Sequence, residues 1–163
     1  MELSRNIRKA RELISSFRGE EENRLLKICD EIKLAQHCLN QAAAGYFADC
    51  MRRCGGICCR NIRVSDILTL LDFVFILAVN PELTCQVADL SRKETLFSAD
   101  CLFLRNGTGP CIFAPDAKPE RCIVTFCSSV GPVKKEIRTV GRNFSKLWRH
   151  LMIRRPVSWF GFR

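Results

Sequence analysis

Apolar residues recur in the first segment at Ile7, Ala10, Ile14 and Phe17, with spacings of three and four that place them on one face of an amphipathic helix. Gly19 interrupts that pattern, and it resumes behind the acidic run Glu20, Glu21, Glu22, which suits the positive end of a helix macrodipole. From there Leu25, Ile28, Ile32, Ala35, Leu39, Ala42 and Tyr46 alternate at three and four, the strongest helical signal in the chain. The two segments predict an N-terminal helical hairpin over residues 1–49. A third apolar stretch, Ile67 to Val79, has Ser65 as its expected N-cap and Asp66 in the first turn, and Asn80-Pro81 stops it. Thr69 and Asp72 break the run, which is shorter than the roughly 20 residues a membrane span requires. It therefore predicts a buried core helix with Asp72 on a polar edge, and no transmembrane segment. Further along, CLFLRNGTGPCIF sets apolar runs on either side of Asn106-Gly107, a pair suited to a tight hairpin turn that would bring Cys101 and Cys111 together. Pro115 and Pro119 punctuate the loop leading to Cys122 and Cys127. The expected fold is mainly α with a small β-hairpin, in a single compact domain.

Charge changes this picture at one end. Residues 131–163 hold nine Lys/Arg against Glu136 alone, so +8 of the formal +9 lies there. The cations interleave with Phe144, Leu147, Trp148, Leu151, Met152, Trp159, Phe160 and Phe162. Such a segment either reaches an anionic surface or protein partner as a separable element, or packs an apolar helix face onto its own domain.

Composition adds the chemistry, since eleven of the 163 residues are cysteine. The opening residues MELSRNIRKARELISSFRGEEEN contain no uninterrupted apolar stretch followed by a small-residue cleavage site, so a cytoplasmic location is expected. Thiols in a reducing compartment persist as soft ligands for zinc, copper(I) or iron–sulfur centres rather than as disulfides. In CMRRCGGICC, Cys50, Cys54, Cys58 and Cys59 put four thiols within ten residues, and Gly55-Gly56 permits the backbone to wrap closely round a cation. Neighbouring side chains point apart, so Cys58 and Cys59 serve two metals or one of them packs inside. A second group, Cys101, Cys111, Cys122 and Cys127, sits on turn elements that could fold back on the first. These eight cysteines are the expected ligands for zinc or iron, the latter as an ion or an iron–sulfur cluster. Metal closing both groups would staple the domain, and the metal-free form would be less ordered.

The string CMRRCGGICC, then Ser65-Asp66, CLFLRNGTGPCIF and KPERC, resembles the cysteine-cluster family of zinc- or iron-chelating proteins, the CxxCxxCC or YkgJ-type domain. The resemblance runs over residues 50–127, between the N-terminal helical region 1–49 and the basic C-terminal segment 128–163. It implies ligands at Cys50, Cys54, Cys58, Cys59, Cys101, Cys111 and, after Lys118-Pro119, Cys122. The gap between Cys54 and Cys58 is one residue wider than that pattern, and Ile123 stands where the family often has Arg. The family includes flagellin lysine methylases, which implies an alternative role as a component of a protein methylation system. This chain has no glycine-rich nucleotide-binding fingerprint. A third class, a zinc-stabilised nucleic-acid-binding module, rests on the basic tail with Trp148 and Trp159. Cys29, Cys38 and Cys85 are solitary and read as small buried hydrophobes. His37 and His150 have no companion ligand at metal spacing, and no Ser/His/Asp or Cys/His grouping for catalysis assembles from the sequence.

Overall fold

The structure, a computed structural model, describes residues 2–46, 59, 62–93, 100–107, 110–126 and 131–154. The first periodic segment forms helix α1 (Glu2–Ser16), which buries Leu3, Ile7, Ala10 and Leu13, with Phe17 completing the stripe just beyond it. Gly19 turns the chain at φ 59°, a left-handed conformation that costs glycine nothing, and opens α2 (Glu20–Ala42). Leu25, Ile28, Ile32, Ala35 and Leu39 on α2 are buried, as the spacing predicts.

The third helix begins later than its expected cap. Ser65 and Asp66 lie in a single 3-10 turn (Val64–Asp66), and α3 runs over Leu70–Val79 with Thr69 as its N-cap. The Thr69 hydroxyl accepts from the Asp72 N–H while the Asp72 carboxylate accepts from the Thr69 N–H, a capping box that satisfies two orphan donors at once. Ser65 offers no such reciprocal partner. From Asp72 to Leu77 every residue of α3 is buried, so this helix has no solvent face and must be covered on several sides.

That demand rearranges the expected N-terminal hairpin. Although consecutive, α1 and α2 do not pack chiefly on each other: α1 lies along α3, and α2 lies along the last helix, α6 (Lys134–Arg154), while also touching α3. After Asn80 the chain bends by 116° through the 3-10 turn Pro81–Leu83 into α4 (Thr84–Ser91), which returns to α1, where the Ser4 and Ser91 hydroxyls lie 3.0 Å apart. No single helix among the described residues is long and apolar enough to cross a membrane.

Of the two readings of the C-terminal segment, packing holds for its first part. On α6, Val140, Phe144, Leu147 and Leu151 are fully buried, and the Phe144 ring meets Phe75 of α3 edge-on at 5.4 Å. Asn143 Nδ2 donates to the Glu31 carbonyl at 3.0 Å, and Lys146 Nζ pairs with the Glu31 carboxylate at 2.7 Å. Trp148 stays half exposed, at 51%. Trp159, Phe160 and Phe162 lie outside the described residues.

Between Cys101 and Cys111 the chain reverses as expected, with Asn106 at φ 55°, but among the described residues it forms a single isolated antiparallel bridge, Leu104 to Cys111. It is flanked by Ile112 N to Phe103 O at 2.9 Å and Arg105 N to Pro110 O at 3.0 Å. Pro110 has no N–H with which to return the second bond, and the Phe103 N–H is turned to the Cys101 sulfur. Among the described residues no strand forms, and the architecture is mainly helical.

Candidate metal centre

The segment carrying Cys111 and Cys122 is held by side chains of two core helices. On α2, buried Gln36 donates through Nε2 to the Lys118 carbonyl at 2.7 Å and accepts from the Lys118 N–H at 2.9 Å. One turn later, Asn40 Nδ2 donates to the Pro115 carbonyl at 2.7 Å. On α3, Asp72 uses its second oxygen to accept the Glu120 N–H at 2.8 Å, so this carboxylate caps α3 and also holds the start of α5 (Glu120–Val124), the short helix that bears Cys122. Asp72 was expected on a polar edge; it is 2% exposed, and its polar atoms face inward because each has a donor to receive.

Cys101 and Cys111 sit in a short repeat, Cys-Leu-Phe at 101–103 and Cys-Ile-Phe at 111–113. In each, the N–H of the phenylalanine two residues on donates to the cysteine sulfur. Both rings are buried, with centroids 4.8 Å apart, and Phe103 leans on Phe73 of α3 at 6.5 Å. The aromatic pair thus anchors the turn on the central helix, with Cys111 near enough for its charge to act on Cys101. Backbone N–H bonds to sulfur favour the thiolate, the form that ligates metal. The Cys101 N–H donates to the Cys59 carbonyl at 2.8 Å, which ties the end of the first cysteine group to the second.

Electrostatics tie in the fourth sulfur. Burial pushes the Cys122 thiol up, and the charges of Cys101, Cys111, Asp72 and Cys59 push it the same way. Cys101 is raised by burial and by Cys111, and Cys111 by burial, against the opposing pull of its N–H bond and of Lys118 and Arg105. Cys59, Cys101, Cys111 and Cys122, from widely separated stretches of chain, therefore share one electrostatic neighbourhood. As they stand, no three or more Cys, His, Asp or Glu among the described residues are close enough to hold an ion. Cys50, Cys54, Cys58 and Cys127 lie outside the described residues, as do Gly55 and Gly56. Cys29, Cys38, Cys85, Cys101, Cys111 and Cys122 carry free thiols.

The solitary cysteines divide. Cys29 is a buried hydrophobe in the core, its thiol pushed up to about 12 by burial and then by Asp30. Cys38 and Cys85 are exposed, contrary to the expectation of burial. His37 faces solvent beside Gln41, and His150 is buried with its ring stacked on Phe17 at 5.4 Å. Gln36, Asn40 and Asp72, which position the centre, were missed in the sequence because nothing in their spacing marks them. The Cys-apolar-Phe repeat was there to be read. Comparison of the chain with family profiles, curated proteins and solved structures gives no match.

Proposed function

We propose that this protein binds zinc or iron, the latter as an ion or an iron–sulfur cluster, through cysteine thiolates. Cys59, Cys101, Cys111 and Cys122 form one part of the ligand set, and Cys50, Cys54, Cys58 and Cys127 are the candidates for the rest, in line with the resemblance to the cysteine-cluster family. The observation that carries the reading is the paired turn at Cys101 and Cys111. Two sulfurs each receive a backbone N–H two residues on, with Cys122 and Cys59 near enough for their charges to act on one another. The donor set fits such a metal, because sulfur with little competing oxygen selects zinc or iron over hard cations. Without a cation, several half-buried thiolates would repel, so the metal-free thiols stay protonated, and binding releases those protons. The bound ion would join segments far apart in sequence and act first as a structural staple. The test is anaerobic purification followed by a visible spectrum and measurement of zinc, iron and acid-labile sulfide on one sample. Stoichiometric zinc in colourless protein, or iron with sulfide in brown protein, supports the reading and names the metal. Protein that comes folded through the anaerobic purification with neither zinc nor iron overturns it.

A further inference from the structure

The pairing of α2 with α6 creates a second feature remote from the cysteines. Phe17, just before α2, meets His150, and Glu31 in mid-α2 meets Asn143 and Lys146, so the helices run antiparallel. Between the first half of α2 and the last half of α6 lies an open cleft of about 580 Å³. Its walls carry four exposed cations, Arg24 and Lys27 from one helix and Lys146 and Arg149 from the other. Of the described residues lining it, Glu31 alone is a carboxylate, and Lys146 already pairs with it at 2.7 Å. The charge continues outward along α6, where Lys135, Arg138, Arg142, Lys146 and Arg149 recur at three and four and are all exposed. At 1.5 Å per residue this stripe is roughly 20 Å long, opposite the buried face of the helix.

We propose that the α2–α6 cleft and the cationic stripe leading from it form a docking surface for the phosphate backbone of a nucleic-acid duplex, contacted without regard to base sequence. A row of cations about 5 Å apart on a rigid helix suits a regular polyanion rather than a single phosphate. Single-strand binders add aromatic platforms on which bases stack. The half-exposed Trp148 lies about 120° round α6 from the stripe, out of position for that role. A bilayer surface would call for a broad apolar face beside the cations, and along the stripe Ile153 alone, at its end, offers exposed apolar surface among the described residues. The surface is distinct from the cysteine centre, which is held from Gln36 and Asn40 at the other end of α2.

The test uses the full-length protein, a fluorescent duplex of about 20 base pairs and anisotropy titrations between 50 and 200 mM salt. Two double variants remove the same charge: K27Q/R149Q takes one cation from each wall of the cleft, and R8Q/R11Q takes two exposed cations from α1. With about 0.9 in log–log salt slope per phosphate contact, K27Q/R149Q should flatten the slope by about 1.8 and weaken binding on the order of 30-fold at 0.15 M salt. R8Q/R11Q should leave the slope unchanged. All four side chains are exposed, so circular dichroism should show both variants folded. Equal losses from both variants would mean diffuse attraction and overturn the site. So would tighter binding of the single strand of equal length, or of phosphatidylserine vesicles in preference to the duplex.

Discussion

Asp72 is the residue whose replacement tests the architecture most directly. Its Oδ2 accepts from the Thr69 N–H at 2.8 Å and from the Thr69 hydroxyl at 2.7 Å, and its Oδ1 accepts from the Glu120 N–H at 2.8 Å. In Asp72→Asn only one oxygen remains. Whichever way the amide is turned, its NH₂ faces a part-buried N–H, of Thr69 or of Glu120. An orphaned buried donor costs about 1–3 kcal/mol. Lost charge assistance adds to this, and release of the buried charge offsets part of it. We expect a net loss of about 2 kcal/mol at pH 7, a large part of the margin of a small domain. Burial raises the Asp72 carboxyl above its ordinary 3.8, the donors from Thr69 and Glu120 opposing it. A group raised on folding contributes stability that is complete below its unfolded pKa and is lost as pH rises through the folded value. The variant lacks that contribution, so the gap between wild type and D72N should be wider near pH 4 than at pH 7. Urea midpoints followed by circular dichroism at both pH values measure it, with the exposed Asp66→Asn, expected within about 0.5 kcal/mol, as the reference. A D72N protein as stable as D66N at pH 7 would refute the double-capping role, whereas a gap that narrows towards pH 4 would show that the donors from Thr69 and Glu120 outweigh burial in setting the carboxyl's protonation.

Other expectations follow from the same packing. Cys29 is buried and its thiol is pushed up to about 12, so about one part in 10⁴ of it is thiolate at pH 8, and iodoacetamide should label the exposed Cys38 and Cys85 long before it. Comparable labelling by mass spectrometry would mean that the core around Cys29 opens. Leu147→Ala should cost about 2–5 kcal/mol in denaturant unfolding, and ending the chain after residue 136 should abolish the cooperative transition, because α6 is core rather than appendage. An unchanged melting temperature on truncation would contradict this. Cys111→Ser should lower metal content while Cys85→Ala keeps it, and equal losses would show that the ligands have been wrongly divided. Chelation should leave the helical signal near 222 nm largely intact while exposing residues 100–126 to limited proteolysis; unchanged resistance of that segment would count against the staple.

How much of this was legible in the sequence depends on the range of the interaction. The stripes of α1, α2 and α6 follow from local periodicity, and the buried residues Ile7, Leu25, Ile32 and Leu39 lie where that periodicity puts them. Capping propensity alone does not locate the start of α3, because Ser65 and Thr69 are both good caps, and what separates them is the reciprocal bond from Asp72. The partner choice of α1 and α2 was not local either: it follows from an α3 that is buried all round, which only the assembled helices reveal. Gln36 and Asn40 looked like surface amides, yet their partners, Lys118 and Pro115, lie 82 and 75 residues away. The same distance in sequence hid the basic cleft, since Arg24 and Lys27 stand in a nearly neutral stretch and matter only beside Lys146 and Arg149.

The relation between the helical core and the cysteine centre follows from which contacts close which loops. Among the described buried core residues Cys29 is the only cysteine, so the core assembles without thiol chemistry. The centre is attached to that core by hydrogen bonds from Gln36, Asn40 and Asp72 and by the Phe73–Phe103–Phe113 contacts. The stretch between Cys59 and Cys101 contains α3 and α4, so packing of the core already brings its ends together, where the Cys101 N–H bonds the Cys59 carbonyl. If the centre takes a metal as proposed, the ion would meet segments that folding has already brought near one another, and less of its binding energy would be consumed in ordering the chain. Its affinity should accordingly depend on Asp72 and Gln36, which touch no sulfur in any described bond, as well as on the cysteines themselves.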